Sequence, residues 1–159
     1  MALLKAFALG VALVAAGAAQ AHVAADPGTA PAGAYQAVRF RVGHGCQGKA
    51  TRNLRLEIPQ ALSSVRAQPK PGWELDFERQ EGRITAVSWR GELPDTQFDE
   101  FALFMKLPAE PQTLYVPAVQ TCDGAEARWT DIPREDARPE HPAPALVVQP
   151  VPAAHAHHD

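Results

Sequence analysis

The chain has 159 residues, and its 15 lysines and arginines against 18 aspartates and glutamates give a formal net charge of -3. A mildly acidic chain with no basic block argues against nucleic acid as a partner. Its length fits one domain with its own core rather than two.

The N-terminal segment has the three parts of a secretory signal peptide. Lys5 gives it a positive start, an apolar run follows from residue 6 to residue 16, and Ala19-Gln20-Ala21 supplies a cleavage site of small residues. A membrane-spanning helix needs about twenty apolar residues, which neither this run nor any later segment provides. We therefore expect residues 1–21 to be removed after Ala21, leaving a periplasmic or secreted protein without a membrane span.

The next part of the chain, from Tyr35 to Trp129, is built from short segments in which apolar and polar residues alternate. Val38, Phe40 and Val42, for example, alternate with arginines, as is typical of a strand with one buried face. The other predicted strands lie at 54–58, 73–78, 84–89, 101–107, 114–119 and 127–129, with glycines, prolines and aspartates between them. The pattern predicts an all-β sandwich of about seven to nine strands in a single domain.

The end of the chain becomes rich in proline and alanine. Leu146 to Val148 are expected to add one last edge strand, and residues 22–150 then form the domain. Residues 151–159 are expected to be a flexible tail, because they are too poor in apolar residues to pack. The tail carries three histidines that could collect copper or zinc weakly, with a merely solvated tail as the alternative: His155, His157 and His158.

The chain has two cysteines, Cys46 and Cys122. In an oxidising compartment an even pair this far apart favours a disulfide over two free thiols. The alternative is a thiolate site for copper, but the pair lacks the C-x-x-C spacing of redox and soft-metal motifs.

His22 becomes the first residue if the signal peptide is cut after Ala21. Its α-amine, with a pKa near 8, and its imidazole Nδ1 can then close a chelate ring on one metal ion. Among the first-row divalent ions, Cu(II) binds such nitrogen pairs most tightly. Cleavage after Ala19 would instead make histidine the third residue, and the resulting planar set of four nitrogens again suits Cu(II) or Ni(II).

Several short motifs occur in a recognisable order along the mature chain. They are His22-Val23, Phe40-Arg41-Val42-Gly43-His44-Gly45-Cys46, Gly72-Trp73, Val87-Ser88-Trp89, Phe98-Asp99-Glu100-Phe101, Gln120-Thr121-Cys122-Asp123-Gly124 and Trp129. In this order and spacing the chain resembles the YcnI-like family of bacterial copper-binding proteins.

The resemblance implies an immunoglobulin-like sandwich that holds one Cu(II) ion in a monohistidine brace. Carried over to this sequence, the brace is His22, the carboxylate ligand is Glu100, and Trp129 is the tryptophan against which the ion lies. On a strand, Glu100 points to the face opposite to Phe101, Leu103 and Met105, so it need not enter their core. Asp99 and Asp131 are alternative carboxylates.

Two further tryptophans and a loop histidine have alternative interpretations. Trp129 can also be interpreted as a plain core residue of the sandwich, a description for which Trp73 and Trp89 compete. His44 lies in a glycine-flanked loop beside Cys46, where we expect an ordinary loop histidine, with a second ligand to the metal as the alternative.

The expected function is that of a copper chaperone, acquisition factor or buffer without catalytic turnover. Its partners would be the copper ion and other periplasmic copper chaperones or a membrane copper transporter. An alternative is a copper-dependent oxygenase, in which His44 or His141 supplies a second imidazole. Another is a structural or adhesion sandwich without a metal, since the fold alone does not determine function.

Overall fold

The computed structural model describes residues 22–134 and 139–151, and every regular element in them is a β-strand. In these residues no helix is long and apolar enough to cross a membrane. The predicted signal peptide and the tail histidines His155, His157 and His158 lie outside the described residues. The twelve strands are β1 (Val23–Asp26), β2 (Thr29–Pro31), β3 (Tyr35–Val42), β4 (Thr51–Glu57), β5 (Ser64–Ala67), β6 (Glu74–Gln80), β7 (Arg83–Leu93), β8 (Asp99–Lys106), β9 (Gln112–Tyr115), β10 (Ala118–Cys122), β11 (Ala125–Trp129) and β12 (Ala145–Gln149).

The strands form three sheets. One has four strands in the order β1-β3-β8-β5, another has five in the order β11-β10-β4-β7-β6, and a small one has three in the order β2-β12-β9. All pairs are antiparallel except β2 with β12. Strand β1 is therefore an edge strand of the four-stranded sheet, and β11 is an edge strand of the five-stranded sheet.

The predicted alternation of buried and exposed side chains is confirmed on the central strands. Val38, Phe40 and Val42 on β3 are fully buried, and the arginines between them are exposed. On β4, Leu54 and Leu56 are likewise fully buried and belong to the same apolar core, and Arg55 between them is half-buried. The core therefore fills the space between the large sheets, as expected when each sheet buries one face.

The structure has more strands than the period-two pattern predicts, because several strands are too short to show alternation. One segment predicted as a single strand, 114–119, is divided at Pro117 between β9 and β10. Proline has no N–H to donate to a neighbouring strand, so it ends the ladder there. The prediction of an edge strand at Leu146 to Val148 is wrong, because β12 lies between β2 and β9.

The predicted disulfide is present between Cys46 and Cys122, whose Cα atoms are 5.9 Å apart. It links the loop after β3 to the end of β10, which lies in the other large sheet. Both sulfurs are therefore used in the covalent bond. This removes the thiolate metal site as an interpretation of the cysteine pair.

Candidate metal centre

His22 is the first described residue, and strand pairing determines where it lies. Val23 pairs with Val42 in an antiparallel register, so His22 falls opposite Gly43 at the point where β3 enters the loop containing His44. The side chain of His22 is exposed. A metal held by this residue would thus lie at the end of the sandwich where that loop begins.

Trp129, on the five-stranded sheet, contacts His22. It is the last residue of β11 and only 3% exposed, and its indole lies against the His22 imidazole with ring centroids 5.2 Å apart and planes at 31°. The other two tryptophans lie elsewhere, with Trp73 and Trp89 packed around Phe101 at centroid distances of 4.9 and 5.5 Å. Trp129 is thus both a member of the buried core and the tryptophan that lies against His22.

A second imidazole contacts the same indole. The ring of His141 meets Trp129 edge-on, with centroids 5.4 Å apart and planes at 75°. The indole Nε1 is buried and has no hydrogen-bond partner in the described part of the chain. Since indole N–H is a donor only, this atom is left to be satisfied by water or by an acceptor from outside the described residues.

Asp131 holds the backbone of His141 in place. The His141 amide donates to Asp131 Oδ2 at 2.9 Å, the Asp131 amide donates to the His141 carbonyl at 3.0 Å, and the Ala143 amide donates to the Asp131 carbonyl at 2.9 Å. Asp131 is one of the alternative carboxylate ligands that the sequence predicts. In the structure one of its carboxylate oxygens is used to fix this segment.

Next to Trp129 is an open cleft of about 480 Å³ that contains two histidines. The residues lining it are His44, Gly45, Cys46, Gln47, Glu126, Ala127, Arg128, Trp129 and His141. His44 is half-buried there, with Nδ1 2.7 Å from the Gly45 carbonyl oxygen. The loop histidine is thus part of the surroundings of the indole.

Glu100 lies on the outer face of the four-stranded sheet, among arginines. Its carboxylate oxygens are 3.4 Å from Arg39 Nε and 3.7 Å from Arg41 Nε, and its register partner on β3 is Arg41. Glu100 is on β8 and His22 directly precedes β1, and β3 lies between these two strands. Its neighbour Asp99 is paired with Lys70 at 2.6 Å. The ligand role of Glu100 stays a prediction.

The side chains near Trp129 can be compared with what a copper ion requires. Imidazole nitrogen suits Cu(II), and a coordinating histidine commonly donates its other ring N–H to a carbonyl or carboxylate. Within residues 22–134 and 139–151, no three side chains of His, Cys, Asp or Glu are grouped so as to hold a metal by themselves. The imidazoles near Trp129 therefore fit a copper ion only if the α-amine of His22 serves as a further ligand.

Sequence reasoning considered His141 only as an extra ligand in an oxygenase, and its packing on Trp129 was missed. The two residues are far enough apart in sequence that no local pattern connects them. The one available signal was Asp131, two residues after Trp129, because aspartates often accept hydrogen bonds from nearby backbone amides.

Comparison with known proteins gives three findings. A family model described as a domain of unknown function (DUF1775) matches residues 22–148, so the match begins at His22. The copper-binding protein CutI of Bacillus subtilis (strain 168) is 26% identical over 127 residues, which are 77% of this chain and 61% of CutI. The chain thus spans less than two thirds of the length of that relative.

The third finding is structural. An uncharacterized protein from Nocardia farcinica, whose crystal structure reveals an immunoglobulin-like fold, is similar with a TM-score of 0.68 and 32% sequence identity. The similarity covers 81% of this chain and 99% of the other. With the strand order above, it confirms the predicted immunoglobulin-like β-sandwich.

Proposed function

The chain belongs to the DUF1775 family, to which the YcnI-like proteins belong, and from this premise we propose that it binds copper at its mature N-terminus. The observation that carries the proposal is the contact between His22 and Trp129. In this contact His22, the expected N-terminus of the mature chain, lies against a buried indole. The relative named as a copper-binding protein supports the choice of metal.

The chemistry of the site follows from removal of the signal peptide after Ala21. In the precursor the nitrogen of His22 is an amide, and in the mature chain it is an amine. Amine and Nδ1 then chelate Cu(II), and binding displaces the amine proton, whose pKa is near 8. Export therefore activates the site, and the precursor is not expected to hold copper in this way.

Trp129 and Glu100 have different roles in this proposal. Indole is a poor ligand, so Trp129 forms a wall that shields one side of the ion and influences its redox behaviour from outside the coordination sphere. Glu100 is the carboxylate that the family resemblance implies. To reach the ion, its side chain has to leave Arg39 and Arg41.

In the periplasm or outside the cell, such a protein would act as a copper chaperone, acquisition factor or buffer. Copper is then cargo, and no catalytic turnover is expected. The proposed partners are the copper ion and other periplasmic copper chaperones or a membrane copper transporter. Copper- and reductant-dependent oxidation of a glycan by the purified protein would overturn the non-enzymatic part of the proposal.

The test uses protein exported from a bacterial host. Intact mass identifies the N-terminus, and the metal-free protein is titrated with Cu(II) against a competing chelator while EPR spectra are recorded. We expect one tight equivalent on a chain starting at His22, lost in His22→Ala. A matched control carries one methionine before His22, which blocks the amine and leaves the rest of the chain unchanged.

Two results would contradict the proposal. Equal Cu(II) affinity of the methionine-extended and correctly processed proteins would exclude the amine as a ligand. Absence of tight Cu(II) binding by the correctly processed chain would exclude copper binding as the function of this β-sandwich. Glu100→Gln tests the carboxylate separately, since weakened binding in this variant would support its ligand role.

A further inference from the structure

The outer face of the four-stranded sheet carries an excess of positive charge, although the whole chain has a net charge of -3. Alternate residues of a strand point to the same face. Val38, Phe40 and Val42 of β3 fill the core, so the residues between them face outward, and the register extends this face to the neighbouring strands. Its charged side chains are two carboxylates and four cations: Asp26, Glu100, Arg39, Arg41, Arg66 and Lys106. Such a face favours an anionic partner.

The uncompensated charge of this face lies at Arg66 and Lys106. The carboxylates of Asp26 and Glu100 are both paired with Arg39. In the described part of the chain, Arg66 and Lys106 form no ion pair with a carboxylate. These two cations are therefore available to carboxylates of another molecule.

An exposed pair of aromatic rings adjoins the same two cations. Tyr35 and Phe104 are 59% and 42% exposed, and they stack with ring centroids 5.6 Å apart and planes at 18°. The Lys106 ammonium lies 4.8 Å from the centroid of the Tyr35 ring. Arg66 is the register partner of Phe104 on β5. Tyrosine, phenylalanine and arginine are the residue types that protein interfaces favour over the rest of the surface.

An open depression of about 300 Å³ lies next to Phe104, and Arg66 is on its rim. Ala37 and Ala102 also line it, and their short side chains leave the space beside the ring unfilled. Tyr35 stacks on Phe104 but does not line the depression, so part of the Phe104 ring is available to a further apolar group. The depression accepts one apolar side chain, with a guanidinium in place for a carboxylate beside it.

We infer that this aromatic-basic surface, formed by Tyr35, Phe104, Arg66, Lys106 and the depression beside Phe104, binds an acidic segment of a partner protein. An apolar side chain of the segment enters the depression, and carboxylates next to it pair with the two cations. A second copy of the chain is a poor occupant, because it would bring two positively charged faces together. A bilayer is a poor occupant as well, because a flat surface leaves a depression unfilled.

The aromatic-basic surface is separate from the candidate metal centre. Tyr35 begins β3, and Val42, which pairs with the residue after His22, ends it. At about 3.4 Å per residue the two ends of this strand are roughly 24 Å apart. The inference therefore does not depend on copper binding, and substitutions at this surface leave the metal centre unchanged.

The test uses a short peptide in which aspartates and glutamates surround a single phenylalanine. Two matched peptides replace the phenylalanine by alanine or the acidic residues by lysines. Binding to the complete protein is measured by fluorescence anisotropy of the labelled peptides, and NMR shifts of backbone amides locate the contact. We expect the acidic phenylalanine peptide to bind most tightly, to shift the amides around Phe104 and Arg66, and to bind less tightly as salt is raised.

Substitutions in the protein make the test specific to this surface. Phe104→Ala and Arg66→Gln are each expected to lower the affinity for the acidic peptide about tenfold, as is usual for a residue at the centre of an interface. Arg66→Glu, which reverses the charge, is expected to lower it further. Arg79→Gln on β6 and Phe98→Ala replace exposed residues outside the surface and should leave the affinity unchanged. Thermal unfolding establishes that each variant is folded.

Several results would overturn the inference. They are no binding of the acidic peptide, equal affinity for the acidic and lysine peptides, and an affinity that Phe104→Ala and Arg66→Gln leave unchanged. Binding to vesicles of anionic phospholipid that Arg66→Glu abolishes, without peptide binding, would assign the surface to a membrane instead. A dimer in analytical ultracentrifugation that Phe104→Ala dissociates would assign it to a second copy of the chain.

Discussion

The imidazole of His22 and the indole of Trp129 lie with ring centroids 5.2 Å apart. His22 precedes β1, an edge strand of the four-stranded sheet, and Trp129 ends β11, an edge strand of the five-stranded sheet. The contact therefore joins the two large sheets at one end of the sandwich. Any metal bound there would be coupled to the stability of this junction.

Replacement of Trp129 by alanine is expected to lower the free energy of unfolding by roughly 3–5 kcal/mol, because it removes a buried aromatic side chain and leaves a cavity. Trp129→Phe keeps an aromatic ring and is expected to cost less. Urea unfolding of the metal-free proteins measures both. A cost below 1 kcal/mol for Trp129→Ala would mean that the indole is not a packed part of the core.

Gly45→Ala is expected to destabilise the loop that carries His44. A Cβ at this position would lie 1.8 Å from the carbonyl oxygen of Lys49, which is backbone and cannot move aside without distorting the loop. Overpacking of this kind typically costs 1–3 kcal/mol. The matched control is Gly43→Ala, whose Cβ has nothing within 4 Å and which is expected to stay within about 0.5 kcal/mol of the parent. Similar melting temperatures for the two variants would contradict this account.

Gln120→Met tests whether the buried amide fixes His44. Gln120 Nε2 donates to the His44 carbonyl and to Thr51 Oγ1, both at 2.8 Å, and a buried acceptor left unpaired costs about 1–3 kcal/mol. Thr51→Val removes the second bond, together with the 3.8 Å contact of Thr51 Oγ1 with Cys122 Sγ, but keeps the bond to the His44 carbonyl, and it is the control. Hydrogen exchange of the loop amides reports the local effect. We expect faster exchange in Gln120→Met than in Thr51→Val, and the reverse order would argue against the anchoring role.

Removal of the disulfide is expected to lower the free energy of unfolding by about 4 kcal/mol, since the bridge closes a long loop between residues 76 apart in sequence. The variant Cys46→Ser/Cys122→Ser is compared with the parent by urea unfolding. Because the sulfurs are bonded to each other, copper binding in the folded double variant should remain. A loss of copper from a variant shown to be folded would reopen the question of sulfur ligation.

Acid is expected to destabilise the protein below about pH 4. Hydrogen bonds from Arg55 and Arg52 lower the pKa of Glu78 and of Asp123 from the ordinary range. A carboxyl group with a lowered folded-state pKa contributes stability above its unfolded pKa, near 4, and loses it as pH falls through the folded value. Urea unfolding between pH 7 and pH 3 should show this decline.

Arg55→Gln supplies the test of the acid effect. It removes the partner of Glu78, so the decline in stability between pH 5 and pH 3 should become shallower than in the parent. Arg66→Gln, at an exposed arginine on β5, is the control with an equal change of net charge. Identical pH profiles for the parent and Arg55→Gln would show that this pair does not contribute.

The sequence by itself determined the fold class, the buried faces of the central strands and the disulfide. These depend on local information: the period-two alternation around Phe40 follows from strand geometry, and an even cysteine count in an exported chain favours a bridge. Short strands such as β2 and β9 carry too few residues for a period to show. The position of β12 between them depends on pairing partners that are distant in sequence.

At the candidate site the sequence predicted His22 as a chelator, because the chemistry expected of an N-terminal histidine depends only on where the predicted signal peptide would be cut. Only the tertiary structure decided which tryptophan lies against it, that His141 contacts the same indole, and that His44 lines the cleft next to that indole. For Glu100, alternation along the strand predicted that the side chain points outward, but it could not predict which residues surround it. Its arginine neighbours follow from the pairing of β8 with β3. Contacts between strands that are far apart in sequence are set by register and sheet order, which no local pattern encodes.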